Sequence, residues 1–186
     1  MAKVLRNNLR MRYRRVKRTS PNANSEDCMS KRHECAKVLL RELDAGKRII
    51  NIDETWIGEM DYRRYKWCGH NEANSLSSKD VAPRLALLTA VDNLGGLYMA
   101  MTQVNTDHEV FGVFMTKLVG KLTTEDPDWM RNTIFMLDNA PYHKDVYVLE
   151  ALRRQGCNII FLGPYSWSAA PCELLYSAVK RTNLNP

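Results

Sequence analysis

Thr-Ile-Phe-Met-Leu-Asp-Asn-Ala-Pro-Tyr-His, residues 133–143, decides how the rest of the chain is read. Its first five positions form a short β-favouring run that ends on an acid, the pattern of a strand running into Asp138. A helix over Lys144–Gln155, closed by Gly156, and a second strand over Asn158–Leu162 follow. A loop, Pro164–Pro171, then leads to a final short helix, Cys172–Arg181. Two strand–helix units therefore fill the C-terminal third.

Upstream, Arg48–Ile57 (RIINIDETWI) is rich in β-branched residues. Arg84–Val91 and Leu97–Gln103 flank the turn sequence Asp92-Asn93-Leu94-Gly95-Gly96 and predict a hairpin. Tyr65–Gly69 is a candidate for one more short strand, ahead of a polar loop, Asn71–Lys79. Val110, Phe114, Leu118 and Leu122 recur at helical spacing within Asp107–Leu122. Three antiparallel strands followed by two strand–helix units predict an α/β domain: a mixed five-stranded sheet in the order β-β-β-α-β-α-β-α, with helices on both faces. That is the RNase H-like architecture.

The N-terminal 47 residues read as a separate basic helical arm, leaving residues 48–186 for the RNase H-like domain. Eight of the first 18 residues are Lys or Arg and none is acidic. Leu5, Leu9, Tyr13 and Val16 fall near helical spacing within that stretch. Arg10, Arg12, Arg14, Arg15, Lys17 and Arg18 are its densest part and candidate DNA contacts. Thr19–Asn24 (TSPNAN) breaks the chain, and Ser25 caps a helix that places Met29, Ala36, Leu40 and Leu43 on one face and ends before Gly46. Of the net charge of +6, residues 1–48 carry 14 Lys/Arg against 5 Asp/Glu (+9), and the remainder 13 against 16 (−3). A phosphate-binding strap and a solvated tail both fit this arm.

With 186 residues, 45% of them hydrophobic, the chain can bury one sizeable core. Its longest apolar runs are too short for a membrane span, and the basic N-terminus lacks the apolar stretch of a secretory signal. The expectation is a soluble intracellular protein. Cys28, Cys35, Cys68, Cys157 and Cys172 make an odd number and read as reduced thiols. Cys28, His33 and Cys35 lie close together, but no second cluster follows, and a helix puts them on different faces, which argues against zinc.

Three acids fall at the ends of these elements. Asp53 lies in the first strand, Asp138 ends the fourth, and Glu173 opens the last helix. In the predicted topology the first and fourth strands are neighbours, so Asp53 and Asp138 converge while the helix brings Glu173 in from the side. Carboxylates this close repel unless cations neutralise them. Mg²⁺ or Mn²⁺ takes hard oxygen ligands and keeps positions open for water and phosphate, and two such ions can stabilise both oxygens of an in-line phosphoryl displacement.

Residues 51–57 (NIDETWI), 137–143 (LDNAPYH) and 163–180 (GPYSWSAAPCELLYSAVK) resemble the three motifs of the mariner-type DDE transposases and their bacterial relatives. The 34 residues between Asp138 and Glu173 match the spacing of the glutamate-bearing branch, and residues 9–25 are similar to the segment joining the family's DNA-binding and catalytic domains. The resemblance implies a catalytic domain with Asp53, Asp138 and Glu173 as catalytic and metal-binding residues. It further implies two Mg²⁺ or Mn²⁺ ions, nicking at transposon ends, strand transfer into target DNA, a homodimer pairing those ends, and residence in a nucleus, or in the cytoplasm and nucleoid of a bacterium. The sequence departs from the family where Trp167-Ser168-Ala169-Ala170 replaces the usual Pro-Asp-Leu-Asn. It also lacks the helix-turn-helix modules, as a fragment or a decayed or domesticated copy would. An inactive DNA-binding or dimerising remnant and another nuclease of the same superfamily are the rival readings.

Around the triad, Glu54 should point to the face opposite Asp53, in a structural or supporting role. Asn139 either orients Asp138 or a bound water, or is a turn residue. His143 either caps a helix, contacts phosphate or tunes Asp138. Lys180 and Arg181 either touch the DNA backbone or end a solvated helix. His70 and His108 read as surface residues, and Trp56, Trp67 and Tyr65 as packing residues.

Overall fold

The structure, a computed structural model, describes residues 7–8, 20–58, 69–70 and 84–182. Helix α1 spans Glu26–Asp44 and is followed by strands β1 (Arg48–Ile57), β2 (Leu85–Asp92) and β3 (Leu97–Thr102). Helix α2 (His108–Glu125), a single turn α3 (Trp129–Asn132), β4 (Thr133–Leu137), α4 (Val146–Arg154), β5 (Asn158–Phe161) and α5 (Pro171–Arg181) complete the order. The five strands form one sheet in the order β3-β2-β1-β4-β5. β1 pairs antiparallel with β2 and parallel with β4, and β4 pairs parallel with β5. The mixed RNase H-like sheet read from the sequence is the one observed.

Strand alternation distributes β1 between two cores. Ile50 and Ile52 enter the larger one with Leu88, Phe135 and Leu137, covered by Phe111, Met115 and Leu118 of α2 and Leu152 of α4. On the opposite face, Ile49 and Met136 meet Cys35 and Leu39 of α1. Leu87 there meets Cys172 and Tyr176 of α5. Helices thus cover both faces, which explains why β4 is buried along its whole length.

The hairpin turn is held by an acid. Asp92, whose side chain is buried, accepts from the Leu94 and Gly96 amides at 2.9 and 2.6 Å and from Arg48 Nε at 2.7 Å. Burial works against its charge, but these donors outweigh it and hold the carboxyl below its usual value. A Cβ at Gly96 would sit 2.4 Å from Asp92 Oδ2, so only glycine fits.

Several expectations are corrected. The stripe Met29, Ala36, Leu40 and Leu43 is the exposed side of α1. Its packed side runs through Cys28, Arg32, Cys35 and Leu39, because the surface beneath offers backbone carbonyls: Cys35 Sγ donates to Phe161 O, and Arg32 donates to Ala23 O and Pro164 O. The helix expected from Lys144 begins only at Val146, with Asp145 as its cap, because Pro141–Lys144 forms a tight 3₁₀ turn instead. A short 3₁₀ turn, Trp167–Ala169, also interrupts the loop before α5. Residues 65–68 of the additional strand candidate, the polar loop 71–79 and the basic cluster from Arg10 to Arg18 lie outside the described residues. Among the described residues, no helix is long and apolar enough to cross a membrane.

Candidate active site

Ile52 of β1 stands opposite Leu137 of β4, so Asp53 and Asp138 are each the next residue along two adjacent parallel strands. Glu173 lies in the first turn of α5, behind Pro171, where a proline at the start and an acid near the helix N-terminus are both favourable. All three acids line one cleft of about 1140 Å³, together with Lys31 of α1, Lys144 and Trp167. The predicted triad is therefore brought together. Among the described residues, no group of three or more His, Cys, Asp or Glu side chains is gathered tightly enough to hold an ion unaided.

The acids differ in charge state. Burial raises Asp53; the Glu54 amide, donating at 2.9 Å, opposes this, and the charges of Glu54, Asp138 and Glu173 add to it, leaving a pKa of about 7. Asp138 moves the other way: burial would raise it, but a hydrogen bond with His143, the Ala140 amide and the charge of Lys144 lower it. A carboxylate that is costly to ionise beside one that is already ionised is the kind of perturbed pair that marks a candidate functional site.

His143 is fully buried and packs against Phe111 at 4.4 Å between ring centroids. Its Nδ1 lies 2.6 Å from Asp138 Oδ1, and its Nε2 lies 3.4 Å from Glu54 Oε2, at ion-pair distance but outside hydrogen-bond geometry. Burial pulls the imidazole pKa down, yet Asp138 and Glu54 overcome this and hold it near 9. The phosphate-contact and helix-cap readings of His143 are excluded by this position; it bridges the two acids. Glu54 does face away from Asp53, as strand alternation requires, and is the far end of that bridge.

Asn139 donates its amide to Leu162 O at 2.5 Å, tying the tip of β4 to the end of β5. Lys180 and Arg181 sit in the last turn of α5 and are not among the cleft walls. In the departing segment, Tyr165 adopts a left-handed backbone (φ 58°) and stands edge-on to Trp167, both rings partly open at the cleft.

Three residues at the site were not anticipated. Asn51, buried at 1% exposure, donates from Nδ2 to Met136 O at 3.2 Å and accepts from the Cys172 amide at 2.9 Å. Tyr176 donates its hydroxyl to Asp53 O at 2.6 Å. Lys144 holds its ammonium 5.2 Å above the Phe161 ring, inside the cleft. The available signal was Asn51 itself, a polar residue two before Asp53 and on its face of a strand that should be apolar there.

No curated protein sequence matches the chain. Among solved structures, the Mos1 mariner paired-end complex with Mn aligns at TM-score 0.69 and 21% identity over 100% of this chain and 58% of that one. A pre-cleavage Mos1 transpososome aligns at TM-score 0.68 and 19% identity, covering 96% of this chain and 56% of its own. The catalytic domain of Mos1 mariner transposase aligns at TM-score 0.64 and 17% identity, covering 92% and 78%. The chain thus spans little more than half of the longer Mos1 chains, and at these identities the likeness shows a shared fold. The profile described as DDE superfamily endonuclease matches residues 48–186, from the first residue of β1 through the triad and beyond, and on that ground the chain belongs to the DDE endonuclease superfamily.

Proposed function

We propose that this chain is the catalytic core of a transposase, which nicks DNA at transposon ends and joins the freed 3′-hydroxyl to target DNA. The observation that carries this reading is the placement of Asp53, within β1, and Asp138, just past the end of β4, one residue beyond the Ile52–Leu137 pair of these adjacent parallel strands, with Glu173 in the same cleft. Three hard carboxylate oxygen donors suit Mg²⁺ or Mn²⁺ rather than a soft metal. Asp53, Asp138 and Glu173 would hold two such ions, with water and DNA phosphate oxygens as the remaining ligands. Once bound, the ions supply the positive charge that phosphoryl transfer requires.

The protein's own groups do the rest. His143 keeps Asp138 ionised and fixes one of its oxygens, leaving the other for the cleft. Lys144 places its ammonium in the cleft, where a DNA phosphate would lie, while Lys31, another wall residue, has its ammonium paired with Asp27 at 2.7 Å. Trp167 narrows the approach beside Glu173. A homodimer pairing two ends, and residence in the nucleus of a eukaryotic host or the nucleoid of a bacterial one, belong to the same proposal.

The test is nicking and strand transfer of duplex DNA carrying pre-cut ends, with and without Mn²⁺. Asp53→Asn, Asp138→Ala and Glu173→Gln should each lower the rate by a factor of at least about 10³. Equal activity in Asp138→Ala and wild type would remove the enzymatic reading and leave a DNA-binding or dimerising remnant, which the altered loop at Trp167–Ala169 favours as the second reading. Cleavage of an RNA–DNA hybrid but not of duplex DNA would assign the site to another nuclease chemistry.

A further inference from the structure

We infer that Asn51 is a positioning residue, a buried three-way tie that fixes Glu173 relative to Asp53 and Asp138. The inference deepens the metal-dependent reading above and rests on it.

Asn51 belongs to β1, two residues before Asp53, so both side chains leave the strand on the same face. Its Nδ2 donates to the carbonyl of Met136, two residues before Asp138 on β4. Its Oδ1 accepts from the amide of Cys172, the residue before Glu173 on α5. One side chain therefore touches the three elements that carry the three acids. The Cys172 amide is one of the helix-terminal donors that lack an intrahelical partner, so Asn51 also acts as a cap supplied from a distant strand.

A second bond makes the tie directional. Tyr176, three residues after Glu173, donates to the backbone carbonyl of Asp53 itself. The Cys172 thiol also donates to Asn51 O at 3.3 Å. Helix α5 is thus pinned to β1 on both sides of Glu173 in sequence, which removes its freedom to slide or rotate. Without Asn51 the helix would keep its apolar contacts through Tyr176 and Val179, but its N-terminal turn would lose the fixed point beside Glu173. A buried amide at this position also costs stability unless both of its ends are satisfied, which is why an apolar residue would be the default for packing alone.

The experiment compares wild type, Asn51→Ala, Tyr176→Phe and Asp53→Asn as full chains. It reads single-turnover nicking per folded molecule, the Mn²⁺ concentration for half-maximal rate, Mn²⁺ binding by calorimetry, and duplex binding in Ca²⁺. Asn51→Ala should bind DNA as wild type does, need about tenfold more Mn²⁺, and nick on the order of 100 times more slowly. Tyr176→Phe, which loses one hydroxyl only, should show the same pattern at roughly a tenfold loss. It carries the test if Asn51→Ala does not fold. Wild-type Mn²⁺ requirement and rate in the folded variants would overturn the positioning role while leaving the nuclease reading intact. A wild-type chain that neither binds Mn²⁺ nor outpaces Asp53→Asn would overturn the nuclease reading, and this inference with it.

Discussion

At His143 one buried imidazole faces two carboxylates, and its value to the fold depends on being charged. The folded pKa near 9 lies above the ordinary 6.5, so in the metal-free chain the bridge contributes fully below about 6.5 and is lost as pH rises through 9. Asp138 is lowered, so its share is present above 3.8 and is lost as pH falls through that region. Replacing His143 by Gln should therefore cost about 1–3 kcal/mol near neutral pH, because half-exposed Asp138 loses a charged hydrogen-bond donor and Glu54 loses its ion-pair partner. Urea titrations in EDTA should show the gap between variant and wild type narrowing below about pH 3.8 and again toward pH 9; a gap that stays constant across both ranges would contradict the bridge. The acids themselves could be read from sequence because each belongs to a recognisable element: Asp53 within β1, Asp138 just past β4 and Glu173 in the first turn of α5. His143 could not be placed, since its inward direction comes from the 3₁₀ turn at Pro141–Lys144 rather than from helical periodicity. Asn51 was visible only as a polar residue at an apolar strand position: its partners lie 85 and 121 residues away, and no local pattern reports them.

Helix α1 shows how an element can be recognised while its orientation is misread. Its existence followed from the Ser25 cap, the acidic first turn and the stop at Gly46, all of which the structure contains. Its apolar stripe gave the wrong face because the surface it covers is not purely apolar. The end of β5 and the loop after it present carbonyls, and these are met by Arg32 and the Cys35 thiol. At Gly163 the two backbones nearly touch, since a Cβ there would lie 2.7 Å from Arg32 Cα. Leu39→Ala is accordingly expected to cost about 1–3 kcal/mol, and Leu40→Ala no more than about 0.5 kcal/mol, although periodicity alone ranks them the other way. Denaturant midpoints of the two variants decide between the faces. The strands were more legible, because their turn chemistry is local. Asp92 both stops β2 and folds back onto the next four residues, so Asp92→Asn should lower stability by roughly 3 kcal/mol, the low end for a buried ion pair because Arg48 is partly exposed. The depressed Asp92 pKa makes that contribution present above 3.8 and lost as pH falls through it, so the deficit of the variant should shrink on acidification.

Across the whole molecule, charge and chemistry are separated. Residues 1–48 hold 14 Lys/Arg against 5 Asp/Glu, whereas the rest, which contains the triad, holds 13 against 16. An acidic body with a carboxylate-lined cleft repels DNA at long range, so the DNA affinity that the proposed function requires would have to come from cations elsewhere and from any ions in the cleft. The eight cations of the first 18 residues are the largest single-sign block in the chain and are the natural source. Each phosphate that they neutralise releases condensed counterions and steepens the fall of log K with log salt by about 0.9. Full engagement of the block would therefore contribute a slope of roughly 7, and partial engagement proportionately less. A chain lacking residues 1–24 removes that block without removing any other basic residue, because Thr19–Asn24 contains none, and it stops before the Ser25 cap of α1. Duplex binding measured between about 50 and 200 mM salt should be weaker in the shortened chain, and its salt slope shallower by several units. The two chains should converge at high salt, where the electrostatic advantage is screened. If the shortened chain binds with the same affinity and slope as the full one, the arm is a solvated tail, and the DNA-facing surface has to be sought around Lys31 and Lys144 instead.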